Sequence, residues 1–207
     1  MRYHRIPDET IRRLPLYLRG LTFLSEEGQK SVSSHNLADF LGVNACQIRK
    51  DFSYFGAFGT PGVGYKIEKL VKQVKKILKL DIVKKAALVG VGNLGSAVLA
   101  YPGFGIYDFS IAAAFDSDPK KVGRKKGYLT IEDTSKLRTL KRRRISLAII
   151  AVPRDSAQKT AETLVKAGVR GILNFSPCHI TVPKKVKVIT IDIAMDLARL
   201  PYYMPTS

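Results

Sequence analysis

Six residues that follow a short apolar run constrain the fold of this chain more than any other feature. A predicted strand, Ala86–Gly90, runs into Gly90-Val-Gly-Asn-Leu-Gly95, and residues 92–100 have a helical pattern. In a strand–turn–helix unit that binds dinucleotides, the first glycine permits a tight turn and the second lets backbone approach a pyrophosphate. The third lets helix and strand pack closely, and the helix N-terminus faces the anion. The spacing predicts a dinucleotide site at Gly90, Val91, Gly92, Asn93, Leu94 and Gly95.

An acidic residue stands where such a site needs one. Asp116 lies 21 positions after Gly95, at the end of the next predicted strand, Phe109–Phe115. A carboxylate there holds a ribose 2′-hydroxyl and repels the extra phosphate of NADP. We therefore expect NAD(H) as the cofactor. Lys120, Lys121 and Arg124 leave the NADP alternative open, because they can accept a 2′-phosphate.

The chain from Asp81 onward alternates between strands and helices. Further strands are predicted at Ser146–Val152, Arg170–Asn174 and Val186–Ile191, with a helix from about Ser156 to Ala167. Nearly all-apolar strands that alternate with helices indicate a parallel sheet covered on both faces. A Rossmann domain of this kind uses all of residues 81–207 and leaves no substrate domain.

No catalytic residue is assigned, and we do not expect an enzyme. Cys178 and His179 are neighbours in sequence, whereas a Cys–His pair needs spatial apposition. The histidines at positions 4, 35 and 179 and the two cysteines have no metal-ligand spacing, so no metal is expected.

The first 80 residues are predicted to be helical with one glycine-rich interruption. The third predicted helix begins at Asn44, which with Gln47 resembles a capping box. Gly56–Tyr65 contains four glycines and a proline, which indicates a tight turn or a hairpin. The predicted helices are about Asp8–Glu27 with a kink or break at Pro15, Asn36–Leu41 between a Ser33 or Ser34 cap and Gly42, Asn44–Phe55, and Lys66–Leu80.

This arrangement is typical of a DNA-reading unit. Two helices joined by a short turn at Gly42-Val43 form a helix-turn-helix, and the hairpin after them would be a wing. Gln47 and Arg49 can bond base edges or phosphates, and Lys50 is a natural phosphate contact. Asn44 and Ser53 complete the polar positions of the third helix, while Ile48, Phe52 and Phe55 would pack inward. The alternative is a plain helical bundle with a solvated face.

The net charge agrees with a polyanionic partner. The chain has 35 Lys and Arg against 17 Asp and Glu, a formal charge of +18, and residues 1–80 carry +7 of it. Such an excess favours binding to nucleic acid, to an anionic membrane surface or to a nucleotide. The alternative is a solvated lysine-rich surface with no specific partner. We interpret the runs Lys120–Lys126 and Lys141–Arg144 as solvated loops rather than a second nucleic-acid site.

Cysteine usage and hydropathy bear on the compartment. Cys46 and Cys178 make no disulfide framework, which suggests a reducing environment. The first ten residues lack the apolar core of a signal peptide, and the longest apolar run, Ile145–Pro153, is too short to span a bilayer. We expect a soluble, cytoplasmic protein with no membrane partner.

Several short stretches of the chain form a combination that no single motif common to Rossmann proteins explains. They are Leu14-Pro-Leu-Tyr-Leu-Arg19, Gln47-Ile-Arg-Lys-Asp-Phe-Ser-Tyr-Phe-Gly56, Gly62-Val-Gly-Tyr65, Val89-Gly-Val-Gly-Asn-Leu-Gly95, Tyr101-Pro-Gly-Phe104, Ala114-Phe-Asp-Ser-Asp-Pro119 and Gly171-Ile-Leu-Asn-Phe-Ser-Pro177. With them the chain resembles, from about Ile6 to Tyr203, the Rex family of redox-sensing transcriptional repressors.

The resemblance implies a homodimer that binds an AT-rich inverted repeat in double-stranded operator DNA and leaves it when NADH rises relative to NAD+. It also implies that the last helix, about Asp192–Leu200, swaps between subunits beside the partner's nicotinamide pocket. Arg19, Tyr101 and Asp192 fall on positions that switch partners between the two states. The wing departs from the family at Gly59-Thr-Pro-Gly62, where relatives usually place basic residues. We therefore expect the phosphate contacts to be made mainly by Arg12, Arg13, Arg49 and Lys50.

The sequence therefore predicts an α/β chain in which a winged helix-turn-helix domain, residues 1–80, precedes a Rossmann NAD(H)-binding and dimerisation domain, residues 81–207. The candidate DNA contacts are Arg12, Arg13, Asn44, Gln47, Arg49, Lys50, Ser53, Tyr54, Gly62 and Tyr65. The candidate cofactor contacts beyond the glycine turn are Asp116, Lys121, Ala151, Val152, Pro153, Asn174, Ser176 and Pro177. Two alternatives stay open: an NAD-dependent oxidoreductase with a helical oligomerisation arm, and a CoA- or nucleotide-binding subunit of a ligase.

Overall fold

The computed structural model describes residues 6–60 and 62–204. The chain forms two compact units. The first extends to Val83 and includes Gly105–Asp108, and the second comprises Lys84–Phe104 and the chain from Phe109 onward. No helix in the described residues is long and apolar enough to cross a membrane.

Four helices and a two-stranded sheet build the first unit. Its core is formed by side chains such as Leu14, Leu18, Leu37, Ile48 and Phe52, all of them almost fully buried. Strand β1 (Ser31–Val32) pairs antiparallel with β2 (Tyr65–Lys66). This pairing joins the region before the second helix to the end of the glycine-rich segment. The elements are α1 (Asp8–Glu26), β1 (Ser31–Val32), α2 (Ser34–Leu41), α3 (Ala45–Ser53), β2 (Tyr65–Lys66) and α4 (Ile67–Ile77).

The helix-turn-helix expected from helices at Asn36–Leu41 and Asn44–Phe55 is present, with α2 starting two residues earlier, at Ser34, and α3 ending two residues earlier, at Ser53. The Ser33 hydroxyl accepts a hydrogen bond from the Asn36 amide at the start of α2. Gly42 ends α2 at φ 65°, a left-handed conformation that glycine adopts without steric cost. Asn44 then caps α3 by accepting from the Cys46 amide.

A kink or a break was predicted at Pro15; the break is absent, since α1 continues through Pro15 to Glu26. Two other local predictions in this unit are wrong. The predicted capping box does not form, because the Asn44 side chain accepts from the Cys46 amide rather than from that of Gln47, and Gln47 Nε2 donates to Asp51. Helix α4 ends at Ile77, three residues early, because Lys79 takes a left-handed φ of 58° and the Leu80 amide turns back to the Lys75 carbonyl.

The second unit is built on a seven-stranded sheet. From one edge to the other its strands are β5 (Lys125–Lys126), β6 (Leu129–Asp133), β4 (Phe109–Asp116), β3 (Lys84–Val89), β7 (Leu147–Ile150), β8 (Gly171–Asn174) and β9 (Lys187–Thr190). All neighbours are parallel except the edge pair β5–β6. Because β3 lies at the centre and the chain moves outward from it in both directions, the carboxyl end of β3 is a topological switch point, where ligands of open α/β sheets bind. The elements are β3 (Lys84–Val89), α5 (Asn93–Ala100), β4 (Phe109–Asp116), β5 (Lys125–Lys126), β6 (Leu129–Asp133), β7 (Leu147–Ile150), α6 (Arg154–Lys166), β8 (Gly171–Asn174), β9 (Lys187–Thr190) and α7 (Ile193–Leu197).

The sheet differs from the predicted one at its two edges. Strands β5 and β6 were not predicted from the sequence, because Lys125–Lys126 is polar and Leu129–Asp133 contains three polar residues. Lys125 and Lys126, expected in a loop, therefore lie in a strand. The predicted strand at Val186–Ile191 is shorter, and Ile189 within it is 56% exposed rather than buried.

The last helix is also shorter than the predicted Asp192–Leu200. Helix α7 ends at Leu197, and a short 3-10 turn follows at Leu200–Tyr203. Pro201 explains the interruption, because a residue before proline is disfavoured in α-helical conformation.

Candidate functional site

The turn after β3 has the geometry that its three glycines predict. Gly90 has a φ of 93°, and a Cβ there would lie 2.4 Å from the Ala151 carbonyl oxygen. A Cβ on Gly95 would lie 2.0 Å from the Gly90 carbonyl oxygen, so helix α5 packs directly on the turn. Gly92 is the N-cap of α5, and a Cβ there would meet open space. Two glycines thus serve packing, while the third leaves room for a ligand at the helix N-terminus.

Asp116, at the end of β4, is bound to this turn. Its Oδ2 accepts hydrogen bonds from the Val91 amide, at 2.8 Å, and from Lys121 Nζ, at 3.0 Å. Its Oδ1 accepts from the Asp118 amide at 2.9 Å. Burial alone would raise the pKa of Asp116, but the amides of Asp118 and Val91 together with the Lys121 ammonium outweigh it and lower the pKa below its ordinary value. Asp116 is therefore a carboxylate with acceptor capacity left for a ligand hydroxyl.

A cleft of about 920 Å³ opens beside these residues. Of the predicted cofactor contacts, it is lined by Gly90, Gly92, Asp116, Lys121, Ala151, Val152 and Pro153. Its volume falls within the usual range for ligand pockets. The structure thus brings together residues from the ends of β3, β4 and β7, as the switch point requires.

The cleft also has a polar wall that the sequence analysis missed. This wall comprises Ser117, Asp133, Thr134, Ser135, Ser156, Lys159, Thr160 and Thr163, with Leu137 as an apolar member. Thr134 and Ser135 follow β6 directly, so recognition of that strand would have placed them at the same edge of the sheet. The residues of α6 carried no comparable signal.

Asn174, Ser176 and Pro177 do not line the cleft. Asn174 is fully buried, and its amide donates to the carbonyls of Ser176 and Cys178 while its oxygen accepts from the Ser176 amide. The Ser176 hydroxyl donates to the Val152 carbonyl at 2.6 Å. Both side chains are used within the protein to fix the loop after β8, and their contact with a cofactor stays a prediction.

In the first unit, α3 presents an exposed basic surface. Arg49 donates from Nη1 to the Ser34 hydroxyl at 2.8 Å and from Nη2 to Cys46 Sγ at 3.0 Å. Lys50 and Ser53 are exposed on the same helix, and Tyr54 follows it half-buried. The hydrogen bond to Ser34 extends Arg49 towards the N-terminus of α2, so its guanidinium is preorganised at the surface.

A hollow of about 530 Å³ lies beside Arg49. It is bounded by Ser33, by Ser34 and His35 of α2, and by Arg49 and Ser53 of α3. Its other side is the segment from Gly56 to Tyr65, in which residue 61 lies outside the described residues. Thr60 and Gly64 form an antiparallel bridge, so the segment is the expected hairpin. A helix N-terminus with an adjacent guanidinium is a favourable place for a phosphate group.

Asp51 is a buried residue of this unit that the sequence analysis did not single out. Its carboxylate is fully buried and accepts from Thr10 Oγ1, Arg13, the Tyr17 hydroxyl and Gln47 Nε2 at 2.6–3.0 Å. Burial alone would raise the pKa of Asp51, but the hydrogen bonds from these four residues lower it to about 2. The sequence offered one signal for this role, since Asp51 is the one acidic residue of α3.

Three predicted DNA contacts are engaged inside the fold. Arg13 and Gln47 both bind Asp51. Tyr65 is 8% exposed and packs edge-on against Phe52, with ring centroids 5.4 Å apart. Arg12 is exposed but bonded to Asp8. The surface available to a partner therefore centres on Asn44, Arg49, Lys50 and Ser53.

The three predicted switch residues belong to different units. Arg19 is an exposed residue of α1, in the first unit. Tyr101 and Asp192 lie in the second unit, where Tyr101 is 59% exposed and Asp192 caps α7 through the amides of Ala194 and Met195. No group of three or more potential metal ligands occurs among residues 6–60 and 62–204.

The end of the chain exposes many large apolar side chains. Each of them is at least 54% exposed, which is unusual for so many neighbours in a monomer. They are Ile193, Met195, Leu197, Leu200, Tyr202, Tyr203 and Met204.

Comparison with protein-family models finds two matches. Residues 5–53 match a family described as putative DNA-binding protein N-terminus, and residues 81–178 match one described as CoA binding domain. The two matches fall on the helix-turn-helix and on the dinucleotide cleft, respectively.

Curated relatives match nearly the whole chain. A redox-sensing transcriptional repressor Rex of Chloroflexus aurantiacus is 48% identical over 199 residues, 96% of this chain and 94% of the relative. The protein of the same description from Lactobacillus gasseri is 43% identical over 201 residues, with 97% and 94% covered.

Solved structures of one repressor also match. The crystal structure of RSP in complex with β-NAD+ and operator DNA is 36% identical with a TM-score of 0.89, covering 96% of this chain and 92% of that chain. The crystal structure of RSP in complex with β-NADH is 34% identical with a TM-score of 0.85, covering 96% and 94%.

Proposed function

The chain belongs to the Rex family of redox-sensing transcriptional repressors, and we propose that it binds operator DNA as a homodimer and leaves it when NADH occupies the cleft of the second unit. We propose residues 1–80 as the DNA-binding domain and residues 81–207 as the NAD(H)-binding and dimerisation domain. The observation that carries the proposal is the presence, in one chain, of an exposed basic helix-turn-helix and a dinucleotide cleft.

The cleft fits the cofactor. Gly92 leaves open space at the N-terminus of α5, where backbone N–H groups and the helix dipole favour a pyrophosphate. Asp116 would accept from a ribose hydroxyl, and Thr134, Lys159 and Thr160, which line the same cleft, would supply further polar contacts. RSP, the solved relative, binds β-NAD+ and β-NADH, which supports the same cofactor here.

The sensing of redox state requires a difference between the two cofactor forms. When bound, the cofactor supplies a nicotinamide ring that is cationic in NAD+ and neutral in NADH. Ala151, Val152 and Pro153 form an apolar wall at the end of β7. Because burial of a charge against apolar groups is unfavourable, this wall would disfavour the cationic ring, so we expect NADH to bind more tightly.

DNA binding would use α3. Arg49 and Lys50 are exposed cations of that helix, and Asn44 and Ser53 lie on it as well. In a helix-turn-helix the second helix enters the major groove, and two subunits read half-sites about 34 Å or a multiple apart. A dimer is supported by the exposed apolar segment at residues 193–204, which the proposed swap would cover with the partner subunit.

The experiment is a titration of a duplex that carries an AT-rich inverted repeat, followed by fluorescence anisotropy. We expect NADH to release the protein and NAD+ to leave it bound. Arg49→Ala should weaken binding by about 1–3 kcal/mol if Arg49 reads a guanine. Lys72→Ala is the matched control, since Lys72 is an exposed cation of α4 outside the candidate DNA contacts, and it should change affinity less. Unchanged affinity in both Arg49→Ala and Lys50→Ala would exclude α3 as the reading helix.

A further inference from the structure

The proposed function leaves much of the positive charge of this chain without a role. Residues 81–207 contain 21 Lys and Arg and 10 Asp and Glu, a formal charge of +11. The half that reads DNA carries less, with +7. A cofactor with two phosphates needs only one or two cations near its cleft, so most of this excess lies elsewhere.

The excess is concentrated between residues 120 and 144. Within this segment the ion pairs in the described structure are Lys121–Asp116 and Arg143–Glu132. The remaining basic residues are all exposed: Lys120, Arg124, Lys125, Lys126, Lys136, Arg138, Lys141, Arg142 and Arg144. The segment is therefore a source of cations that the fold itself does not neutralise by ion pairing.

A β-bulge brings two parts of this segment to one place. Ala86 of β3 pairs with Ile111 and Ala87 with Ala113, so Ala112 is an extra residue in β4. The Tyr128 hydroxyl donates to the Ile111 carbonyl at 2.9 Å, and Arg143 Nη2 donates to the Ala112 carbonyl at 3.1 Å. The β5–β6 hairpin and the turn at residues 141–144 are thus tied to consecutive carbonyls of one strand.

We call Lys125, Lys126, Tyr128, Arg142 and Arg144 the basic edge. All five are exposed, and Tyr128 is 76% exposed although its hydroxyl is fixed by the bond to Ile111. Arg143 lies between the two arginines and is held by Glu132 and by the face of Phe115, with its Cζ 5.9 Å from the ring centroid. The backbone beneath the cations is therefore well anchored.

Edge protection accounts for only part of this surface. Lysines on an edge strand prevent pairing with another chain, and β5 is an edge strand, which explains Lys125 and Lys126. It does not explain Arg142 and Arg144, which lie in a turn, nor the exposed ring of Tyr128. Arginine and lysine commonly contact phosphate oxygens of DNA, whereas the Tyr128 hydroxyl already donates its one proton to the Ile111 carbonyl.

From the sequence, these basic runs were interpreted as solvated loops. From the anchored arrangement in the structure we infer instead that the basic edge is a second, sequence-independent binding surface for the phosphate backbone of duplex DNA. It belongs to the second unit and is separate from α3. Contacts of lysine and arginine with phosphates add affinity for duplex DNA without recognition of its bases. The same surface would retain the protein on non-operator DNA after NADH has released the operator.

The test uses the full-length protein with saturating NADH. The probe is a duplex of about 40 base pairs that lacks an inverted repeat. The variant replaces Lys125, Lys126, Arg142 and Arg144 with glutamine. The control replaces four other exposed basic residues of the second unit, Lys166, Arg170, Lys184 and Lys185, with glutamine and so removes the same charge away from the basic edge. Affinity is measured by anisotropy between 50 and 200 mM KCl, a range over which phosphate contacts are strongly attenuated.

We expect the basic-edge variant to lose about tenfold or more in affinity at low salt, and its slope of log K against log [KCl] to fall by about 2–4 relative to wild type. The control should lose much less. Equal losses in both variants would mean that only net charge matters, and would overturn the proposal. Better competition by a single-stranded oligonucleotide than by the duplex would also overturn it, since the surface would then recognise unpaired nucleic acid.

Failure of this proposal can be separated from failure of the proposed function. A short duplex that covers only the inverted repeat reports on the first unit, and the basic-edge variant should bind and release it as wild type does. If wild type shows no NADH-sensitive operator binding, the proposed function fails, while the comparison on non-operator DNA can still be read.

Discussion

Arg13 of α1 and Asp51 of α3 form a two-point ion pair at the centre of the DNA-reading unit. Arg13 Nε lies 2.6 Å from Asp51 Oδ2, and Arg13 Nη2 lies 2.9 Å from Oδ1. The carboxylate side chain is fully buried, whereas that of Arg13 is 29% exposed. The pair links α1 to α3, the helix that carries Arg49 and Lys50.

Asp51→Asn should destabilise the first unit by about 1.5–3 kcal/mol, because the hydrogen bonds to a buried charge are weakened while Arg13, which is 29% exposed, can be hydrated. Urea unfolding followed by circular dichroism measures the effect. Glu68→Gln is the control, since the Glu68–Lys72 pair is exposed, and it should leave the unfolding midpoint where it is. A midpoint for Asp51→Asn equal to that of wild type would show that the network does not hold α1 and α3 together.

Acid should weaken the same unit over a defined pH range. The pKa of Asp51 is about 2 in the folded protein against an ordinary value of 3.8, so the folded state binds the proton less readily than the unfolded state. The stabilisation from Asp51 is thus fully present above about pH 4 and is lost as pH falls from there towards 2. Unfolding free energies of wild type and Asp51→Asn, measured from pH 6 to pH 2.5, should draw closer as pH falls below about 4, without meeting at pH 2.5, because the folded carboxylate is still largely ionised there. A constant difference would contradict the assignment.

The glycine turn offers a contrast between packing and binding. Gly95→Ala should lower the Tm by several degrees, because its Cβ would lie 2.0 Å from the Gly90 carbonyl oxygen. Gly92→Ala should fold normally, since its Cβ meets open space, yet it should weaken NADH binding by about tenfold or more, or about 1.4 kcal/mol. Differential scanning fluorimetry and NADH fluorescence titration separate the two effects. Tight NADH binding by Gly92→Ala would place the pyrophosphate elsewhere.

Asp116 should make the protein prefer NADH over NADPH. Its carboxylate stays ionised under physiological conditions and would repel a 2′-phosphate, although Lys121 lies within 3.0 Å of it and attracts anions. Asp116→Ser should raise the affinity for NADPH relative to NADH, because Lys121 would lose its carboxylate partner. Calorimetry on both proteins gives the ratio. Tighter binding of NADPH than NADH by wild type would contradict this role of Asp116.

Local sequence signals predicted the elements whose residues agree with their surroundings. The glycines at 90, 92 and 95, the caps Ser33 and Asn44, and the ends of β4 depend on short-range rules and were predicted well. Strand β6 was not, because pairing with β4 stabilises a segment whose own sequence, Leu-Thr-Ile-Glu-Asp, is largely polar. The cleft wall that follows β6 was lost with it.

Side-chain partners were harder to predict than elements. Gln47 and Arg13 have the chemistry of DNA contacts, but Asp51, 4 and 38 residues away in sequence, binds both. Asn174 and Ser176 stand at a strand end, where ligand contacts are expected, yet their polar atoms are used to fix the loop. Which polar group binds which is decided by the folded arrangement, and spacing along the chain does not determine it.

The central claim is that NADH and operator DNA oppose each other through one protein. Linkage requires that, if NADH weakens DNA binding, saturating operator weakens NADH binding by the same factor, typically about 1–3 kcal/mol. NADH affinity should therefore be measured by titration with and without saturating operator, for wild type and for Asp192→Ala, in which the α7 cap is lost. We predict a clear loss of NADH affinity on DNA in wild type that largely disappears in Asp192→Ala. Equal NADH affinities with and without operator in wild type would show that the protein does not couple the two ligands.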